Sequence, residues 1–129
     1  MKEYILDAKD KPLGRLASET ASILRGKKEV DFAPNRLADV KVKIVNIDKI
    51  KIGEKKIEQK YYKRHSGYPG GLKVTPLKKA LEKKGMAYIF RKAVMGMLPK
   101  NKLQKRMIKN LVILPRTVLA VRKDGPCGK

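Results

Sequence analysis

The chain has 129 residues, the length of a single domain, and its 33 Lys and Arg against 12 Asp and Glu leave a net charge of +21. Such a charge makes an isolated chain repel itself, so it points to a polyanionic partner. One cysteine (Cys127) and one histidine (His65) exclude a disulfide scaffold, a cysteine-based zinc site and multi-histidine metal motifs, and the longest run without Asp, Glu, Lys or Arg, His65–Leu72, is too short to cross a bilayer.

Tyr4-Ile5-Leu6, closed by Asp7, predicts a first strand. Leu13, Leu16, Ala17, Thr20, Ala21 and Leu24 recur at helical spacing, with Pro12 near the first turn and Gly26 at the end. Val40, Val42 and Ile44 alternate with Lys41 and Lys43, and Ile44-Val45 predicts a strand entering the core. Ile50 and Ile52 alternate with lysines again. Gly53-Glu54-Lys55 then predicts a turn, and Lys56–Lys63 an antiparallel return that makes a hairpin with Ile50–Ile52.

Thr75-Pro76 predicts a helix start, with Thr75 as N-cap and Pro76 as the first helical residue. Leu77, Ala80 and Leu81 form its stripe and Gly85 closes it. Met86, Ile89, Phe90, Ala93, Val94 and Met97 form a second helical stripe, stopped by Leu98-Pro99. Asn101 is placed to cap a third helix carrying Leu103, Met107 and Ile108. Leu111–Leu114 is a continuous apolar run before Pro115, the pattern of a buried strand. Strand, helix, strand, then helices and a strand argue for an α/β fold with a mainly parallel sheet, a basic hairpin or loop, and C-terminal helices. With no long Ser/Gly/Pro linker and no internal repeat, the expectation is one domain over residues 1–129 with a flexible tail at about 123–129.

Charge is unevenly spread. Residues 1–58 carry 14 basic and 10 acidic residues, whereas residues 59–129 carry 19 basic residues and only Glu82 and Asp124 as acids. The first half therefore has the composition of an ordinary core and the second half that of a contact surface. Tyr61-Tyr62-Lys63-Arg64-His65-Ser66-Gly67-Tyr68-Pro69-Gly70-Gly71-Leu72-Lys73, preceded by Lys60, mixes aromatics that stack on unpaired bases with cations that pair with phosphates. Its glycines allow close backbone approach to a phosphate, and consecutive N–H groups could cradle it. Neither nucleotide-binding glycine fingerprint occurs in it. Lys102, Lys105, Arg106 and Lys109 recur at i, i+3, i+4 and i+7, one face of a helix whose other stripe holds Leu103 and Met107. That helix lacks the Trp and Phe of a membrane-surface helix. Arg91 and Lys92 interrupt an apolar helix, where they snorkel to solvent or reach phosphate. Lys100, Arg116, Arg122 and Lys123 complete the basic set.

A catalytic reading finds little support. His65 and Ser66 with Asp124 supply triad residue types, but no GxSxG elbow is present, and paired carboxylates are nearly absent from the basic half. Another basic nucleic-acid binder, of chromatin or messenger-RNA type, remains open on these residues. The start MKEYILDAKDK has no apolar signal region, and cysteine usage suits a reducing, cytosol-like compartment, bacterial rather than organellar.

Three stretches carry a resemblance to a known family. Leu13-Gly14-Arg15-Leu16-Ala17-Ser18, the segment from Tyr61-Tyr62 through His65 to Lys73, and Ala93-Val94-Met95-Gly96-Met97-Leu98-Pro99-Lys100-Asn101 through Leu103 resemble the signatures of the universal thirteenth protein of the large ribosomal subunit, in its bacterial form. The similarity runs from about Tyr4 to Leu114. At Asn35–Asp39 the His and Thr-Gly-Asp common in that family are absent, and Gln104 stands where a Gly is usual. The resemblance implies a three-layer α/β/α fold with a four-stranded, mainly parallel core sheet. It also implies a non-catalytic protein, without cofactor, metal or small-molecule substrate, that binds large-subunit rRNA early in assembly beside neighbouring ribosomal proteins and away from membranes. Carried over, it makes Lys63–Lys73 and Met97–Arg106 the RNA-facing parts.

Overall fold

The structure is a computed structural model, and residues 1–114 are described. In chain order it forms β1 (Lys2–Asp7), α1 (Leu13–Leu24), β2 (Val40–Val45), a single 3-10 turn (Ile47–Lys49), α2 (Glu54–Gln59), β3 (Tyr61–His65), β4 (Leu72–Pro76), α3 (Leu77–Met97), α4 (Gln104–Lys109) and β5 (Leu111–Ile113). The fold is mixed α/β. β1, β2 and β5 make a parallel sheet in the order β1-β2-β5, while β3 and β4 pair antiparallel as a separate hairpin. Three parallel strands lie among the described residues where the family resemblance implies four. Residues 115–129, with Arg116, the basic Arg122-Lys123 pair, Cys127 and the expected tail, lie outside them.

β2 is the central strand because it can be buried on both edges. Val40, Val42 and Ile44 are fully buried, whereas Lys41 and Lys43 alternate onto the opposite face, where Lys43 reaches Glu3 of β1 at 2.6 Å. Both crossovers run in the same direction across the sheet, so right-handed connection puts α1 and α3 on one face. There Leu16, Ala17 and Ala21 of α1 and Phe90 and Val94 of α3 close on Val40, Val42 and Ile44 in a single core that also takes in Met107 and Leu111. α1 ends in a paired-bond glycine cap. Gly26, at φ +79°, donates to the Ile23 carbonyl at 2.8 Å, and Lys27 donates to the Ser22 carbonyl at 3.1 Å.

Between residues 46 and 63 the chain departs from the predicted hairpin. Asn46 takes a left-handed conformation, φ 57°, and ends β2. The following 3-10 turn brings Ile47 and Ile50 inward together, a three-residue spacing that the alternation of Ile50 and Ile52 conceals. Gly53 precedes α2 rather than a turn, because Glu54-Lys55-Lys56-Ile57-Glu58-Gln59 consists of good helix formers with an acid in the first turn. Tyr61–His65 therefore pairs forward with Leu72–Pro76 and not back with Ile50–Ile52.

The α3 start is also later than predicted. Thr75 stays in β4 opposite Tyr62, Pro76 is the N-cap, and Thr75 makes no capping bond. The proline holds its predecessor extended, and the first helical N–H, that of Leu77, is taken by the Lys60 carbonyl at 2.9 Å. Gly85, at φ 78° and ψ 174°, leaves the helical conformation as expected, so α3 consists of two helical segments, residues 77–84 and 86–97, meeting at a kink there. Asn101 accepts the Gln104 N–H at 3.1 Å, so α4 begins at Gln104 and Lys102 lies in the turn before it.

Candidate nucleic-acid interface

The hairpin is built by its glycines. The turn from Ser66 to Gly71 needs positive φ at Gly67 (+90°) and Gly70 (+73°), where a side chain would be strained. Gly71 has a different constraint, since a Cβ there would come within 2.0 Å of Ser66 Oγ and 2.9 Å of the Tyr68 carbonyl. The turn closes on itself: Ser66 N–H donates to the Gly71 carbonyl (3.2 Å), Gly71 N–H to the Tyr68 carbonyl (3.0 Å), and Gly67 N–H to His65 Nδ1 (2.9 Å). The predicted cradle of consecutive free N–H groups is thus corrected. Three of these donors are used internally, and the segment presents a shaped turn instead.

Pleating divides the aromatic segment between two faces. Tyr61, Lys63 and His65 share one face with Leu72, Val74 and Pro76, while Tyr62 and Arg64 share the other with Thr75 and Lys73. Tyr61 and Tyr68 are 53% and 76% exposed, and Leu72 and Val74 are exposed beside Tyr61. Tyr62 is half-buried, with the ammonium groups of Lys60 and Lys92 each 5.4 Å from its ring centre. Burial, with Tyr88 nearby, holds its phenol above the ordinary value. Tyr62 therefore ties the hairpin to α3, and the rings open to an incoming base are those of Tyr61 and Tyr68.

On α3, Ile89, Phe90 and Val94 face the core while Arg91 and Lys92 point to solvent. On and before α4, Lys102, Lys105, Arg106 and Lys109 are all exposed, with Met107 buried and Leu103 and Ile108 half-buried behind them. Lys100 is exposed as well. Gln104 Nε2 donates to the Met95 carbonyl at 2.8 Å and locks α4 to the end of α3. Lys78, Lys79, Lys83 and Lys84, exposed on the first segment of α3, belong to the same basic half and were absent from the predicted set. Their two Lys-Lys pairs five residues apart were the available signal.

Ion pairing follows the division of charge. Among the described residues the pairs are Met1 amino group to Asp39 (3.1 Å), Lys2 to Glu29, Lys28 to Glu19 (3.9 Å), Lys43 to Glu3 (2.6 Å) and Lys51 to Asp10 (3.5 Å). None involves a cation beyond Lys51. From Lys60 to Lys109 the only acid is Glu82, so this surface is an uncompensated positive field suited to phosphates. No group of three His, Cys, Asp or Glu placed to hold a metal occurs among the described residues, and no described helix is long and apolar enough to cross a membrane.

The family described as Ribosomal protein L13 matches residues 1–117. Proteins named large ribosomal subunit protein uL13 are similar over 112 residues, 87% of this chain: 45% identical in Clostridium botulinum and 46% in Clostridium kluyveri, covering 77% of each, and 46% in Caldanaerobacter subterraneus, covering 78%. The chain belongs to the ribosomal protein L13 family, structural and non-enzymatic proteins of the large ribosomal subunit.

Proposed function

We propose that the chain binds large-subunit rRNA and helps it fold, early in assembly, as a structural constituent of the bacterial large subunit in the cytoplasm. The observation that supports this best is the division of charge: every ion pair among the described residues lies before Ile52, and the cations from Lys60 to Lys109 have none. Lys60, Lys63, Arg64, Lys73, Arg91, Lys92, Lys100, Lys102, Lys105, Arg106, Lys109 and, beyond the described residues, Arg116 neutralise phosphates where RNA helices converge. His65, Ser66, Gly67, Tyr68, Gly70 and Gly71 supply the shaped turn. Tyr61 and Tyr68 stack on unpaired bases. Neighbouring ribosomal proteins are the other partners. In this reading a fourth core strand and a second covering layer complete the sheet. No bond is made or broken.

Sucrose-gradient fractionation of a native lysate, with mass spectrometry of each fraction, tests it. Stoichiometric recovery with the large subunit after a moderate salt wash is the expected result. Recovery only at the top of the gradient overturns it and favours a messenger-RNA or DNA target.

A further inference from the structure

Gly96 stands in the last turn of α3, and nothing among the described residues requires it to be glycine. Its φ is not positive, and a Cβ built on it meets no heavy atom within 4 Å. Glycine weakens a helix relative to alanine, so neither backbone conformation nor packing among the described residues explains it. What an absent side chain does here is leave space on the outside. Gly96 forms the floor of an open groove of about 490 Å³ between the end of α3 and α4, walled by Lys92, Met95, Lys100, Asn101 and Gln104. Met95 is 45% exposed at this groove, an apolar and polarizable side chain in a surface otherwise rich in cations.

The polar atoms of the groove are only half used. Asn101 Oδ1 is engaged by the Gln104 N–H, and Gln104 Nε2 by the Met95 carbonyl. These two bonds fix both amides, and they leave Asn101 Nδ2 as donor and Gln104 Oε1 as acceptor. A largely apolar lining with a spare amide donor, a spare amide acceptor and two lysines fits an unpaired nucleotide.

We propose that this groove receives one unpaired nucleotide of the bound RNA: its base lies across Gly96 against Met95, its edge meets Asn101 Nδ2 and Gln104 Oε1, and its flanking phosphates meet Lys92 and Lys100. The proposal rests on the RNA-binding function above and gives it a site of base recognition separate from the hairpin tyrosines. Lys92 links the two, since its ammonium also lies 5.4 Å from the Tyr62 ring centre.

The test is the full chain with Gly96→Leu, and with Gly96→Ala as the milder variant, bound to deproteinised large-subunit rRNA and probed base by base with a reagent that modifies unpaired bases. Both variants should melt at or above the wild-type temperature, because alanine and leucine are better helix formers in open space. Wild type should protect at least one unpaired base that becomes reactive in the Gly96→Leu complex while the rest of the footprint persists. Affinity should fall roughly 5- to 150-fold, the effect of losing one stacked base. Gly96→Ala should show the same change in smaller degree, so the proposal stays testable if the leucine variant fails to fold. An unchanged footprint and affinity in folded Gly96→Leu or Gly96→Ala overturns the groove as a nucleotide site and leaves rRNA binding intact. Absence of any footprint with the wild-type chain overturns rRNA binding itself.

Discussion

Neutralising two cations at α4 separates charge from fold. Lys102 and Arg106 are exposed and take part in no ion pair among the described residues, while Met107 beside them is only 2% exposed and belongs to the core. Lys102→Gln with Arg106→Gln therefore removes two positive charges without opening the core, and Gln is nearly as good a helix former as Lys or Arg, so stability should move by no more than about 0.5 kcal/mol. Each phosphate left without its cation lowers the slope of log affinity against log salt by roughly 0.7–0.9, so the pair should lower it by roughly 1.4–1.8. At about 0.1 M salt that corresponds to roughly 25- to 60-fold weaker binding. Filter binding or fluorescence anisotropy with large-subunit rRNA across a salt series reads the slope, and circular dichroism reads the fold. A native spectrum with unchanged slope and affinity would show that these side chains do not touch phosphate.

Three further outcomes follow from the packing. Gly26→Ala puts a Cβ 2.7 Å from that of Ala38 at a positive φ, and the left-handed cost alone is ~1–2 kcal/mol. Urea denaturation should show a midpoint lowered by about 1 M with an unchanged slope. Phe90, fully buried where α3 meets the sheet, should cost about 3–5 kcal/mol on replacement by alanine, and an unchanged melting curve would contradict its place in the core. Burial raises the Tyr62 phenol above its ordinary value of 10.0, so the stability it contributes is complete below that value and is lost as pH rises through the higher folded one. Phenolate absorbance of the folded chain should show a late-titrating tyrosine that disappears in Tyr62→Phe and in urea. A titration identical in wild type and variant would refute the half-buried position.

Local signals were enough wherever one element settles its own form. The periodicity of Leu13 to Leu24 between Pro12 and Gly26, the Val40–Val45 alternation and the Leu111–Leu114 run all became the elements expected of them, because period and end signals act within a few residues. The stretch from Ile50 to Lys63 resisted such reading. An isoleucine pair that alternates also fits a 3-10 turn followed by a bend, and the partner of Tyr61–His65 is chosen by the Ser66–Gly71 turn and by the seat that Tyr62 finds against α3.

The basic half, its near-lack of acids and the family signatures were already present in the order of residues, since charge and motif need no folding to be counted. Tertiary structure decided which groups face outward together. It turned Tyr61 out and Tyr62 in, used the Gly67 and Gly71 N–H groups inside the turn, and paired five of the first-half acids while leaving the described cations from Lys60 to Lys109 without ion pairs. It also set Gly96, Asn101 and Gln104 around one groove, because only packing of α4 on the end of α3 brings side chains of separate elements to a common surface.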